Sequence, residues 1–136
     1  METTAGYREL EHTADWALEF WAPDFTELLE QAARGMYSLA GAQGQDDEGS
    51  ARSFCLRAAD LETLLVGFLS ELLYYQEQDG LIFDTFSLSL DGDTLQADLL
   101  GVPLARLDKE IKAVTYHNLQ IHQTGRGIEA RIVFDV

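Results

Sequence analysis

The chain has 136 residues and carries 24 acidic against nine basic side chains, a formal net charge of −15, with 46% hydrophobic content. That length fits one domain and that apolar content allows a core. No apolar run nears the ~18–20 residues that span a bilayer. Met1-Glu2-Thr3-Thr4-Ala5 lacks the basic and apolar regions of a signal peptide, and the acidity repels nucleic-acid phosphates. A soluble, cytoplasmic protein without direct nucleic-acid or membrane contact is expected. The acidity itself suits a solvated surface, docking onto a basic partner, or life at high salt, and composition does not separate the three. Cys55 is the single cysteine, so no internal disulfide or thiolate metal cluster can form. Within Phe54-Cys55-Leu56 it reads as a buried, inert thiol.

In chain order, Tyr7-Arg8-Glu9-Leu10 reads as a short strand leading into Glu11-His12-Thr13-Ala14-Asp15, and Trp16 to Trp21 as an aromatic strand. Asp24 caps a helix, with Glu27 three residues on completing a capping box. Phe25, Leu28, Leu29, Ala32, Met36 and Leu39 form its apolar stripe, and Gly41 stops it. Gly41 to Ser50 is a polar loop whose acidic triplet, Asp46-Asp47-Glu48, is solvated. Ala51 to Ala58 is a strand. Asp60 caps a second helix, which carries the densest apolar surface of the chain, from Leu61 to Leu73, and belongs at the centre of the core. Tyr74-Tyr75 packs under the loop that follows. Phe83 to Leu90 alternates as a half-exposed strand, Asp91-Gly92 makes a hairpin turn, and Thr94 to Leu100 returns antiparallel. Gly101-Val102-Pro103 opens a connector to about Asp108. Glu110 to His117 is a strand that Leu119 to Thr124 continues or pairs with; after a Gly125-Arg126-Gly127 turn, Ile128 to Val136 is the last strand. No repeat, low-complexity run or linker interrupts this order. It predicts a single α+β domain, 1–136, with two helices packed on one face of a mainly antiparallel sheet.

Chemistry concentrates in three segments, Glu11–Asp15, Glu110–His117 and Val133–Val136, which are expected to meet in a small polar site. Asp15 and Asp135 both adjoin apolar strands, where a carboxylate is costly unless paired or bound to a cation. With the first and last strands side by side, these acids and the terminal carboxylate of Val136 converge as oxygen donors. Oxygen donors suit a hard divalent ion, Ca2+ or Mg2+/Mn2+, and not zinc. Lys112 can neutralise the acids or engage a ligand's phosphate. His12 reads as a loop-ordering residue and His117 as a strand-end residue bonding backbone. No phosphate-cradling glycine loop or nucleophile elbow is present, and no complete catalytic site is apparent, so the chain is not expected to be an enzyme.

Glu11-His12-Thr13-Ala14-Asp15-Trp16 resembles the N-terminal signature of the archease family. Leu64 to Tyr74 resembles that family's second helix, and Glu110–His117 and Ile132–Val136 its two C-terminal signatures, in the same order over essentially the whole chain. The resemblance implies an accessory protein for RtcB-type RNA ligases. These join 2′,3′-cyclic-phosphate or 3′-phosphate RNA ends to a 5′-hydroxyl in tRNA splicing and RNA repair. It further implies that the chain promotes guanylylation of the ligase, which uses GTP and Mn2+, and sustains multiple turnover. The implied metal ligands are Asp15, Asp135 and Val136, and the family's lysine falls on Lys112. Two alternatives stand beside it: an independent metal-dependent enzyme acting on a phosphorylated small molecule, using the same carboxylates with His12 as general base, and a general chaperone or interaction module in which the site is only structural.

Overall fold

A computed structural model describes residues 5–10 and 16–136. Its elements run β1 Gly6–Leu10, β2 Trp16–Ala22, α1 Phe25–Ala40, β3 Gln43–Gly44, β4 Ser50–Arg57, α2 Leu61–Asp79, β5 Leu81–Asp91, β6 Thr94–Arg106, β7 Ala113–Thr124 and β8 Gly127–Asp135. Both helices begin and end as their sequences dictate. Asp24 and Asp60 sit in extended backbone and accept the N–H of Glu27 and Thr63, at 2.9 and 2.7 Å. Gly41 and Gly80 close them in the left-handed conformation that only glycine adopts freely.

The class is the α+β one expected, two helices with antiparallel strands throughout. The strands divide between two sheets. The first has the order β1-β2-β8-β7; in the second, β6 runs between β4 and β5, and β3 pairs with its far half. Each helix touches both sheets: α1 lies against β1, β2 and β5, and α2 against β4, β5 and β7. The residue pattern explains this for α2. Leu64, Leu65 and Val66 are buried in succession, followed by Phe68, Leu69 and Leu72. At roughly 100° per residue, three consecutive positions already exceed one stripe, so α2 has to be covered from more than one side. The core closes around it with Leu18, Phe20, Leu28, Met36, Leu95 and Phe134, each at most 1% exposed.

Three local expectations are corrected. The connector from Gly101 is in fact the second half of β6, which runs on to Arg106. Pro103 fits there because its main-chain oxygen accepts from Gln45 N–H at 2.8 Å, on the side where β3 supplies only two paired residues, so a missing donor leaves few partners unmet. Cys55 is exposed and not buried: β4 alternates strictly, turning Phe54 and Leu56 inward and Cys55 outward toward Gln96 Oε1 at 3.0 Å. Of the two tyrosines at the end of α2, expected under the loop that follows, Tyr75 packs instead against Phe54 of β4 and Phe83 of β5, and Tyr74 is 57% exposed.

Candidate functional site

Two of the three predicted segments, Glu110–His117 and Val133–Val136, come together at the end of β8. β8 is an interior strand, flanked by β2 and β7. Phe134 pairs with Trp16 of β2 and with Val114 of β7, and its buried ring fixes this rim to the core. Asp135 pairs with Ala113, and the Lys112 N–H donates to the Asp135 carbonyl at 2.8 Å. The start of β2, the start of β7 and the end of β8 therefore share one edge of the first sheet. His12 and Asp15 lie outside the described residues. Trp16 follows Asp15 in the chain and Phe134 precedes Asp135, and these two neighbours are directly paired.

Alternation along β8 turns Phe134 inward and Asp135 outward. There Asp135 lines a hollow of about 230 Å3 with Thr115, His117 and Val133. A bulge in β7 shapes this hollow. Thr115 pairs with Val133 and Gln120 with Arg131, so residues 116–119 face Ile132 alone. Such insertions bend an edge strand and re-aim its side chains. Asn118 takes the turn at φ 54°, a conformation asparagine tolerates. Thr115 Oγ1 holds the start of the bulge, donating to the Val133 carbonyl at 2.9 Å and accepting from His117 N–H at 3.2 Å. The His117 ring contacts Asn118 Nδ2 at 3.3 Å. His117 is thus a bulge residue beside Asp135, where a plain strand end was expected. The extra residues of Tyr116-His117-Asn118-Leu119 break the two-residue alternation, and that break is the signal visible in the sequence.

Lys112 faces elsewhere. It borders a second cavity, of about 400 Å3, between α2 and the segment entering β7. Leu73, Leu104, Leu107 and Ile111 form the apolar wall of this cavity, and Gln76, Glu77 and Glu110 its polar part. The backbones of Lys112 and Asp135 are joined, yet their side chains serve different hollows.

The other basic residues are engaged. Arg8 and Arg126 both reach Glu19, and Arg126 also binds Glu129 and lies 4.0 Å from the Trp21 ring centroid. The Arg126 guanidinium holds the Glu129 carboxyl below the usual range, with Thr124 adding a second hydrogen bond. Arg34, Arg52, Arg57 and Arg106 each pair with an acid, Arg131 has a partner, and Lys109 lies over Trp16 at 5.1 Å. Among the described residues, Lys112 is the one cation whose side chain has no such partner. No group of three or more His, Cys, Asp or Glu side chains that could hold a metal ion occurs among the described residues. Of the predicted ligands, the described ones are Asp135, exposed, and Val136, half-buried. No described helix is long and apolar enough to cross a membrane.

The fold has solved counterparts. The solution structure of protein 1598 from Methanobacterium thermoautotrophicum superposes with a TM-score of 0.72, at 24% identity, over 96% of this chain and 99% of that one. A crystal structure of a Thermotoga maritima archease, described as a possible chaperone, gives 0.69 at 22% identity over 95% and 96%. These likenesses establish the architecture. In sequence, residues 7–136 match the profile of the Archease protein family (MTH1598/TM1083). The archease of Methanosarcina acetivorans is 36% identical over 96% of this chain and 95% of its own length, and that of Methanosarcina barkeri is 36% identical with the same coverage. The chain belongs to the archease family.

Proposed function

We propose that this archease is an accessory protein that activates an RtcB-type RNA ligase, promoting guanylylation of the ligase and its multiple turnover in tRNA splicing and RNA repair. The observation that supports this reading is the shared edge of β2, β7 and β8, with Trp16 on Phe134 and Lys112 N–H on the Asp135 carbonyl. It brings the flanks of the three family segments together. Asp15, Asp135 and the main-chain oxygens of Val136 would hold a divalent ion, Ca2+ or Mg2+/Mn2+; an all-oxygen donor set fits hard cations of this kind. Such an ion, when bound, supplies positive charge beside a phosphate. The chain's own contribution is positional. Phe134 anchors the rim, Asp135 projects from it on an interior strand, and the Thr115 bond to the Val133 carbonyl keeps the neighbouring strand in place. Lys112, unpaired among the described residues, is available to a phosphate or to an acid of the ligase, and His12 is a further contact on the partner side. The excess of acidic charge favours encounter with a basic, RNA-binding enzyme, while the archease itself makes no direct nucleic-acid contact. The site is cytoplasmic in this reading and performs no turnover of its own.

The test follows covalent attachment of labelled GMP to the cognate ligase, with and without this protein. Wild type stimulates attachment. Asp135→Ala keeps the melting curve, loses Ca2+ affinity in calorimetry and abolishes stimulation. Full stimulation by a folded Asp15→Ala/Asp135→Ala double variant would remove the reading. Rescue of ligase folding with unchanged nucleotide transfer would favour a chaperone instead.

A further inference from the structure

The cavity beside Lys112 is built independently of the Asp135 hollow. The segment that forms one wall is pinned along its length: Leu104 N–H bonds the Gly80 carbonyl at 2.7 Å, Asp108 and Lys109 N–H groups share the Ala40 carbonyl at 3.0 Å, and Lys112 N–H bonds Asp135. Ile111 is 6% exposed and fastens the segment to the core between two exposed charged residues, Glu110 and Lys112. The opening, about 400 Å3, therefore exists before anything enters it, and lies within the ~300–1,000 Å3 of ligand-accepting pockets. Its chemistry is mixed in a specific way. Glu77 comes from α2 and Glu110 from the pinned segment; neither makes an ion pair or side-chain hydrogen bond among the described residues, and neither does Lys112. Three charges surround one cavity without neutralising each other, in a protein that pairs nearly all its other cations.

We propose that this cavity is the docking pocket for an arginine side chain presented by the partner protein. The proposal rests on the reading above only for that partner's identity. A guanidinium carries five donors in a plane and can meet two carboxylates at once, here Glu77 and Glu110. Its methylene stem lies along Leu73, Leu104, Leu107 and Ile111, as long basic side chains do on apolar surface. Lys112 at the border disfavours a bare cation and selects a segment in which an acid adjoins the arginine, a use of like-charge repulsion to set register. The net charge of −15 supplies the long-range attraction to a basic partner.

The experiment has two arms. In the first, the blocked tetrapeptide Leu-Arg-Asp-Leu is titrated into isotopically labelled protein and amide shifts are followed. Shifts concentrate in residues 73–77 and 104–112, and vanish with Glu77→Gln/Glu110→Gln or with a citrulline peptide. In the second, ligase affinity is measured for Glu77→Lys/Glu110→Lys and for Asp46→Lys/Asp47→Lys, an equal charge change in the exposed loop before β4. The first pair weakens binding about tenfold or more and the second about twofold or less, with both variants melting cooperatively. Peptide shifts that are absent, or scattered over the acidic surface, overturn the pocket. Equal effects of the two reversals, or no effect of either, overturn its docking role. If wild type fails to stimulate the ligase while the peptide shifts stay localised, the ligase reading falls and the arginine pocket stands.

Discussion

Asp60 and Tyr37 show how much single polar groups contribute to this fold. The Asp60 carboxyl is held below its usual range by hydrogen bonds from Thr63, chiefly the side-chain bond. Glu129 is lowered in the same direction by Arg126. A lowered carboxyl contributes stability that is fully present above its unfolded-state pKa and is lost as pH falls through the folded value. Melting temperature therefore falls on acidification from neutral pH. Asp60→Asn keeps a capping side chain and removes the titration, so its melting curve depends less steeply on pH below 5 than that of wild type. Tyr37 is a different case. Burial pushes its phenol up, and its hydroxyl accepts the Phe83 N–H at 3.2 Å. Tyr37→Phe leaves the ring but strands that buried N–H, and urea unfolding should show a loss of about 1–3 kcal/mol. At this scale the sequence was readable where a residue acts on its neighbours, as Asp24 and Asp60 do. It failed at Cys55, whose placement depends on strand register and not on its apolar neighbours.

At the level of elements, β6 carries most of the second sheet. It pairs with β4 from Thr94 to Gly101, and with β5 across a register shift between Phe83 and Thr85. Gly101 makes that shift possible: a methyl group there would lie 2.5 Å from the Ile82 carbonyl oxygen. The obstacle is backbone, which cannot rotate away. Gly101→Ala should destabilise by about 1–3 kcal/mol in denaturant titration, despite the usual preference for alanine over glycine in a strand. The same stretch explains why β6 was read as ending at Leu100. Gly-Val-Pro is a breaker by local propensity, and pairing on both sides overrides it. Both helices, both their caps and the β5–β6 hairpin were legible because their signals are periodic or contiguous. The β7 bulge and the arginine pocket were not. One needs the partner strand to be noticed, and the other joins the end of α2 to Leu104 and Leu107 of the expected connector and to Glu110-Ile111-Lys112, which read as the start of a strand but precede β7 at Ala113.

For the whole molecule, charge is the dominant long-range term. Among the described residues, six exposed or half-exposed arginines form surface ion pairs, each contributing little in solvent and weakened by salt. Against them stands a net −15, whose self-repulsion salt also relieves. The unpaired acids outnumber the pairs, so added NaCl should raise the melting temperature, measured between low salt and about half molar, where the Debye length shrinks to a few ångströms. A fall would show that the ion pairs outweigh the repulsion. Two sheets instead of one was the part of the architecture least visible beforehand, since strand order depends on pairings between distant segments. The three segments of the candidate site were visible as patterns, and pairing between distant strands is what joins two of them.

The placement of β8 between β2 and β7 has a kinetic corollary. Leu18 and Ile132 are cross-strand partners separated by 114 positions (132 − 18). Ladders closed over such spans are slow, because loop entropy is lost before any contact repays it. During synthesis, β2 emerges early and can meet α1, but its hydrogen-bonding edge stays unpaired until β8 has been made. Asp135 takes its place on the sheet only at that closure, so a chain arrested before it lacks the strand that joins β2 to β7.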